Sequence, residues 1–141
     1  VTSREIVDYL RQTAPMYIYS NPITVAEASA ASAPLDLLDS PRGPDNLEHL
    51  RTMNRRFQAG LENYGDDTIE GHHPVVPLMV RAHEQTAELV QFLTDRGVLA
   101  TGLNFPVVPK GDEEIRFQIN ADHQESDIDC VLDVLREYRD R

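Results

Sequence analysis

This sequence predicts an α/β fold, a small and mainly antiparallel sheet with helices packed on one face. Three observations lead there. From residue 45 onward the apolar residues recur in the order helix, strand, helix, strand, strand, helix. Within "EEIRFQIN", Ile115, Phe117 and Ile119 alternate with Arg116, Gln118 and Asn120, as in a strand covered on one side. The last run, Ile128, Val131, Leu132, Leu135 and Tyr138, keeps the i, i+3, i+4, i+7 spacing of an amphipathic helix.

Taken in order, residues 3 to 12 place Ile6, Val7 and Leu10 on one helical face, and Pro15 ends that helix. "MYIYSN" reads as a short strand. Thr24 with Glu27 forms a capping box for the Ala-rich helix that follows, which Pro34 is expected to kink or interrupt. "DSPRGP" is a turn. Beyond it Leu47, Leu50, Met53, Phe57, Leu61 and Tyr64 form the longest helical stripe, stopped at Gly65. His72 and His73 belong to a loop entering the strand "PVVPLMVR". Thr86, Leu89, Val90 and Leu93 mark a helix ending at Gly97. "VLATGLNFPVV" is extended with a glycine break, and Ser126 is the expected cap of the last helix.

Composition narrows the functional classes. With 141 residues, 40% hydrophobic, the chain is long enough for one real core and too short for two complete domains. It carries 24 Asp+Glu against 13 Lys+Arg, a net charge of -11, so no basic footprint for nucleic acid is present. No membrane span or signal peptide is expected, and the lone Cys130, in an apolar helical pattern, reads as a small core residue in a reducing, cytoplasmic setting. "SREIVDYLRQ" begins in the middle of a helical pattern and no Met precedes it, as though the reading started inside a longer protein.

Sites with strong spacing rules are missing. His49, His72, His73, His83 and His123 form no H-E-x-x-H pair, and "DHQESDID" lacks the glycine and terminal glutamate of a calcium loop, so no metal site is expected. "PKG" lacks the rest of a phosphate loop. Alternation turns Arg116 away from the covered face of its strand. Spacing alone leaves open whether it is an exposed structural arginine or one that binds an anionic ligand through its planar fork.

At "RQTAPMYIYSNPIT", "DLLDSP", "GHHPVVPLMVR" and "GLNFPVVPKGDEEIRFQINADH" the chain resembles the carboxy-terminal part of the α-oxoamine synthase family. Its members are fold-type-I, pyridoxal-phosphate-dependent enzymes that join an amino acid to an acyl-CoA, and the likeness is greatest to those that act on glycine and acetyl-CoA. The resemblance implies that residues 1–23 end a large cofactor domain and residues 24–141 form the small domain. It implies that Arg116 receives the substrate carboxylate, and that Ser20 and Asn21 reach the cofactor phosphate of the neighbouring subunit in a homodimer. Val107 to Lys110 fall near the substrate entrance. At Ala82 many relatives carry an acid. The Schiff-base lysine of the family has no counterpart here, since Lys110 matches a different position, so the chain by itself is expected to be inactive. The rival expectation is a stand-alone small-ligand binding or dimerisation module.

Overall fold

The computed structural model describes residues 2–141, which fall into two compact units, one ending at Ser40 and the other spanning Pro41–Arg141. The first unit is helical. Helix α1 (Arg4–Thr13) starts at Ser3 and stops before Pro15, which opens the short α2 (Pro15–Ile18). The strand expected at "MYIYSN" is therefore absent: its first residues are a turn of helix, because proline at the first helical position has its backbone angle already set and needs no acceptor. Among the described residues of the first unit no strand lies beside this segment, and a strand needs a ladder partner for its N–H and C=O groups.

Helix α3 (Val25–Leu38) begins as expected. The Thr24 N–H donates to Glu27 Oε2 at 2.8 Å and the Glu27 N–H donates to Thr24 Oγ1 at 3.2 Å. Pro34 does not interrupt it. The exposed alanine-rich turns around it hold the helical backbone, and water can take up the carbonyl that the missing N–H leaves free. None of α1, α2 and α3 buries a residue.

In the second unit α4 (Arg42–Asn63) begins in the expected turn, earlier than Leu47, because Gly43 and Pro44 fit a first turn whose N–H groups have no intrahelical acceptor. Then come β1 (Val75–Met79), α5 (His83–Asp95), β2 (Thr101–Leu103), β3 (Glu114–Gln118) and α6 (Glu125–Arg139). Gly65 and Gly97, at φ 75° and 79°, follow α4 and α5 in the left-handed region that ends helices. The last helix is entered at Gln124 and not at Ser126: Asp127 Oδ2 accepts the Gln124 N–H at 2.8 Å, which moves the cap two residues upstream.

The strands form one antiparallel sheet in the order β1-β3-β2, so β3 is central. Helix α4 packs on β1, α5 on β2 and β3, and α6 on α4 and α5. Between the layers lie Met53, Phe57 and Leu61 from α4, Val76 and Leu78 from β1, Leu89 and Leu93 from α5, Ile115 and Phe117 from β3, and Ile128, Leu132 and Leu135 from α6. This is the one-sided α/β layer expected from the sequence. Cys130 is not in the core: it is exposed on α6, because Ile128 and Leu132 on either side take the buried positions.

Arginines tie the helix surfaces together. Arg56 of α4 holds Asp129 through Nε and Nη2, both at 2.8 Å, with Glu125 at 3.0 Å. Arg96 donates to Glu137 at 2.9 Å while its guanidinium lies 3.4 Å over the Phe92 ring. Arg139 pairs with Asp66 and donates to the Tyr64 carbonyl at 2.8 Å.

Two predictions follow from this packing and pairing. A Cβ on Gly102 would sit 2.7 Å from Val90 Cγ2 and 3.2 Å from Thr86 Cγ2, both on stiff β-branched side chains of α5. Gly102→Ala should therefore cost about 1–3 kcal/mol in urea unfolding; an unchanged midpoint would show that α5 has room to move.

The second concerns acid. The Arg56 hydrogen bonds hold the Asp129 carboxyl below its ordinary range, and those of Arg96 do the same for Glu137. A lowered carboxylate pKa adds stability above the unfolded value and loses it as pH falls through the folded one, so both clamps should fail below about pH 4. Asp66 has the opposite sign, because burial raises it more than Arg139 lowers it. Unfolding midpoints between pH 2 and 7 should show Asp129→Asn flattening the acid limb, whereas Asp66→Asn should leave that limb in place.

Candidate functional site on the open face of the sheet

The face of the sheet away from the helices is assembled by strand register. Arg116 stands opposite Pro77 on one side and Thr101 on the other. One step along, Glu114 stands between Met79 and Leu103, and in the other direction Gln118 faces Val75. Arg116 is exposed while its neighbours Ile115 and Phe117 are 0% and 5% accessible, so the backbone beneath the guanidinium is clamped by the core. Among the described residues of the second unit, Arg116 is the one arginine with no carboxylate, carbonyl or ring contact. In a chain this acidic, an unpaired guanidinium on a rigid strand is a vacant half of an ion pair.

A depression opens beside it, lined by Ile69, Glu70, His73, Val75, Pro77 and Glu114. Neither Glu70 nor Glu114 has a side-chain partner among the described residues. The Gln58 side chain holds this loop by donating to the Gly71 carbonyl at 2.8 Å.

The segment Val107 to Lys110 belongs to the turn-rich connection from β2 to β3, in which the Phe105–Pro106 peptide is cis and Gly111 has φ 92°. Buried Glu113 fastens its end, accepting the Gly111 N–H at 2.9 Å. Lys110 is exposed, with Nζ 5.2 Å from the centre of the Phe105 ring. Ala82 is the N-cap residue of α5 and supplies no side-chain acceptor, so the contact an acid would make there is a helix cap.

Ser20 and Asn21 lie between α2 and α3 in the first unit, and both are exposed. The Ser20 hydroxyl makes one long bond, donating to the Tyr17 carbonyl at 3.4 Å, and the Asn21 amide makes none among the described residues. The Asn21 amide keeps its N–H donors free, and the Ser20 hydroxyl would have to turn from the Tyr17 carbonyl to donate to a phosphate. No group of three or more His, Cys, Asp or Glu that could hold a metal occurs among the described residues. His49 instead bonds the His123 carbonyl at 2.8 Å, joining α4 to the loop before α6.

Glu114 was not singled out from sequence, although alternation puts it on the same face as Arg116. Its interest depends on the register with Met79 and on the loop carrying Glu70, and neither is written in the spacing of β3.

A family model described as aminotransferase class I and II matches residues 1–135. The chain belongs to that family. Among its relatives, the 8-amino-7-oxononanoate synthase of Marinobacter nauticus is 34% identical over 134 residues, which are 95% of this chain and 34% of that protein. The mitochondrial 2-amino-3-ketobutyrate coenzyme A ligase of Mus musculus is 34% identical over 127 residues, 89% of this chain and 30% of that protein. The chain thus spans about a third of the length of the curated relatives it matches. In structure it is similar to S. paucimobilis serine palmitoyltransferase, with a TM-score of 0.86 at 23% identity, over 97% of this chain and 34% of that one. The 8-amino-7-oxononanoate synthase of Francisella tularensis gives a TM-score of 0.78 at 18% identity, over 99% of this chain and 40% of that one. At these identities the two structures bear on the fold: a short antiparallel sheet flanked by helices is shared.

Proposed function

We propose that this chain is the carboxy-terminal part of a homodimeric, pyridoxal-phosphate-dependent acyltransferase that condenses an amino acid, glycine, with an acyl-CoA, acetyl-CoA. Residues 1–23 would then close the large cofactor domain and residues 24–141 would form the small one. The observation that carries the reading is the unpaired Arg116 guanidinium, held on the open face of the central strand. Relatives named as an amino-oxononanoate synthase and an amino-ketobutyrate ligase support an amino-acid substrate, and the quoted "PVVPKG" and "YIYSN" stretches favour glycine and acetyl-CoA.

When bound, pyridoxal phosphate supplies the electron sink that makes the α-carbon of an amino acid nucleophilic towards a thioester. This chain's part is positional. Arg116 takes the substrate carboxylate bidentately and fixes the orientation of the amino acid. Ser20 and Asn21 offer donors to the cofactor phosphate across the subunit boundary. The chain brings no lysine suited to anchoring the cofactor, since its one lysine, Lys110, is exposed in the β2–β3 connection.

Arg116→Ala in the full-length enzyme should leave the fold and the bound cofactor in place and weaken glycine binding by about 2–5 kcal/mol. Arg116→Lys should recover part of the loss, because an ammonium keeps the charge and not the fork. A glycine titration followed through the cofactor spectrum measures both, and normal glycine binding by the alanine variant would make Arg116 a structural residue.

Ser20→Ala should lower cofactor affinity by about 1.5–3 kcal/mol, the worth of a hydrogen bond to a charged group. In mixed dimers the loss should appear at the site of the unmodified subunit; a loss confined to the variant's own site would refute the cross-subunit placement.

A further inference from the structure

Two buried amides sit one turn apart on α4, and only one of them is partnered. Gln58, 8% accessible, donates to the Gly71 carbonyl at 2.8 Å and so fastens the loop before β1. Asn54, 3% accessible, forms no hydrogen bond among the described residues, and its Oδ1 is enclosed without a donor. Buried side-chain amides are nearly always paired, because burial removes the water that would otherwise bond them. Asn54 lines a cavity of about 430 Å³ together with Glu48, Arg51 and Arg55 of the same helix and His72 of the loop before β1. The polar atom it can present there is Nδ2, a donor, since Oδ1 is the enclosed end. Arg55 donates to Glu48 at 2.8 Å and Arg51 reaches the same carboxylate at 3.5 Å, so one anion steadies both guanidiniums and leaves most of their N–H groups free. Two cations against one anion leave a positive charge in excess, in a chain whose net charge is -11.

We propose that this cavity binds a phosphate group, free or as the end of a larger molecule, through Arg51, Arg55 and the Asn54 amide. Shape favours phosphate over a planar carboxylate. At 3.6 residues per turn, positions 51, 54 and 55 span roughly 100° of the helix surface, so their donors converge from different directions on the several oxygens of a tetrahedral anion. His72, exposed on the facing loop, can add a ring N–H from the other wall. Screening settles the sign of the site: at physiological salt, charges beyond about 8 Å count for little, and the local excess of cation outweighs the distant carboxylates. A water molecule in the cavity would pair the amide but leave that excess unanswered. The cavity shares no lining residue with the depression beside Arg116, and the inference stands apart from the proposed function.

Calorimetric titration of the full-length protein, with its cofactor bound, against inorganic phosphate, phenyl phosphate and acetate at equal ionic strength tests the proposal. Phosphate should bind at least about tenfold more tightly than acetate. Asn54→Leu should weaken phosphate by about tenfold, the worth of one hydrogen bond to a charged group, without lowering the thermal midpoint, because it removes an unpaired polar group. Arg51→Gln combined with Arg55→Gln should weaken it further, with circular dichroism confirming the fold, and Arg116→Ala should change nothing. Phenyl phosphate binding as tightly as phosphate would support a phosphate at the end of a larger ligand, and weaker binding would support the free anion. If acetate matches phosphate, or if Asn54→Leu or the paired arginine variant leaves phosphate affinity unchanged, the site is overturned. Loss of phosphate binding in Arg116→Ala would place the anion on the open face of the sheet and overturn it too. If the protein takes up no phosphate at all, another protein segment meets the Asn54 amide and the proposal falls.

Discussion

Phe117 meets Phe57 edge to face, ring centroids 5.0 Å apart, and this contact joins the central strand to the longest helix of the second unit. Ile115 is fully buried two residues before it and Ile119, just past the strand, nearly so two residues after, so the inward positions of β3 and the residue that follows it join the core cluster with residues of α4, α5 and α6. Strand alternation then leaves no freedom for the residues between them. Glu114, Arg116 and Gln118 must face outwards, and their spacing is set by the pleat and not by their own contacts. The arrangement separates two tasks along one strand: one face supplies stability, and the other presents polar groups whose mutual placement costs no packing.

The charge distribution follows a similar division. Arg56, Arg81, Arg96 and Arg139 each close onto carboxylates at the surface, fastening helix to helix or loop to loop. Exposed pairs of this kind contribute little each, but they consume the cations of an acidic chain almost completely. Arg81 shows the constraint on backbone as well as charge. It adopts φ 61°, unusual for a residue with a side chain, where Asp67, Asp112 and the Gly111 carbonyl gather around its guanidinium. Against that background the solitary Arg116 is informative because almost every other arginine in its unit has been used.

Elements with a strong period were legible from sequence. The helices through Phe57, Leu93 and Leu132, the strands through Leu78 and Phe117, and the Thr24–Glu27 box all carry local signals that tertiary structure reinforces. What went unread depends on partners the local sequence does not name. Tyr17, Ile18 and Tyr19 have strand-like side chains, but Pro15 starts a helical turn before a ladder can form. Pro34 breaks a rule that an exposed alanine-rich helix can tolerate. Cys130 has a core-like side chain at a helix position that is exposed. At the site, the outward turn of Arg116 was readable from alternation, whereas its isolation and the company of Glu70 and Glu114 come from the register of β1 with β3 and from the loop before β1.

The period of two along β3 also makes the strand intolerant of changes in length. Loss or gain of a single codon between Glu114 and Gln118 would exchange the two faces beyond that point, driving a polar or charged side chain towards Phe57 and lifting an aromatic ring into solvent. Substitution can tune the polar face one residue at a time, but an indel removes core and site together. The length of this five-residue strand is therefore held fixed by its two faces together.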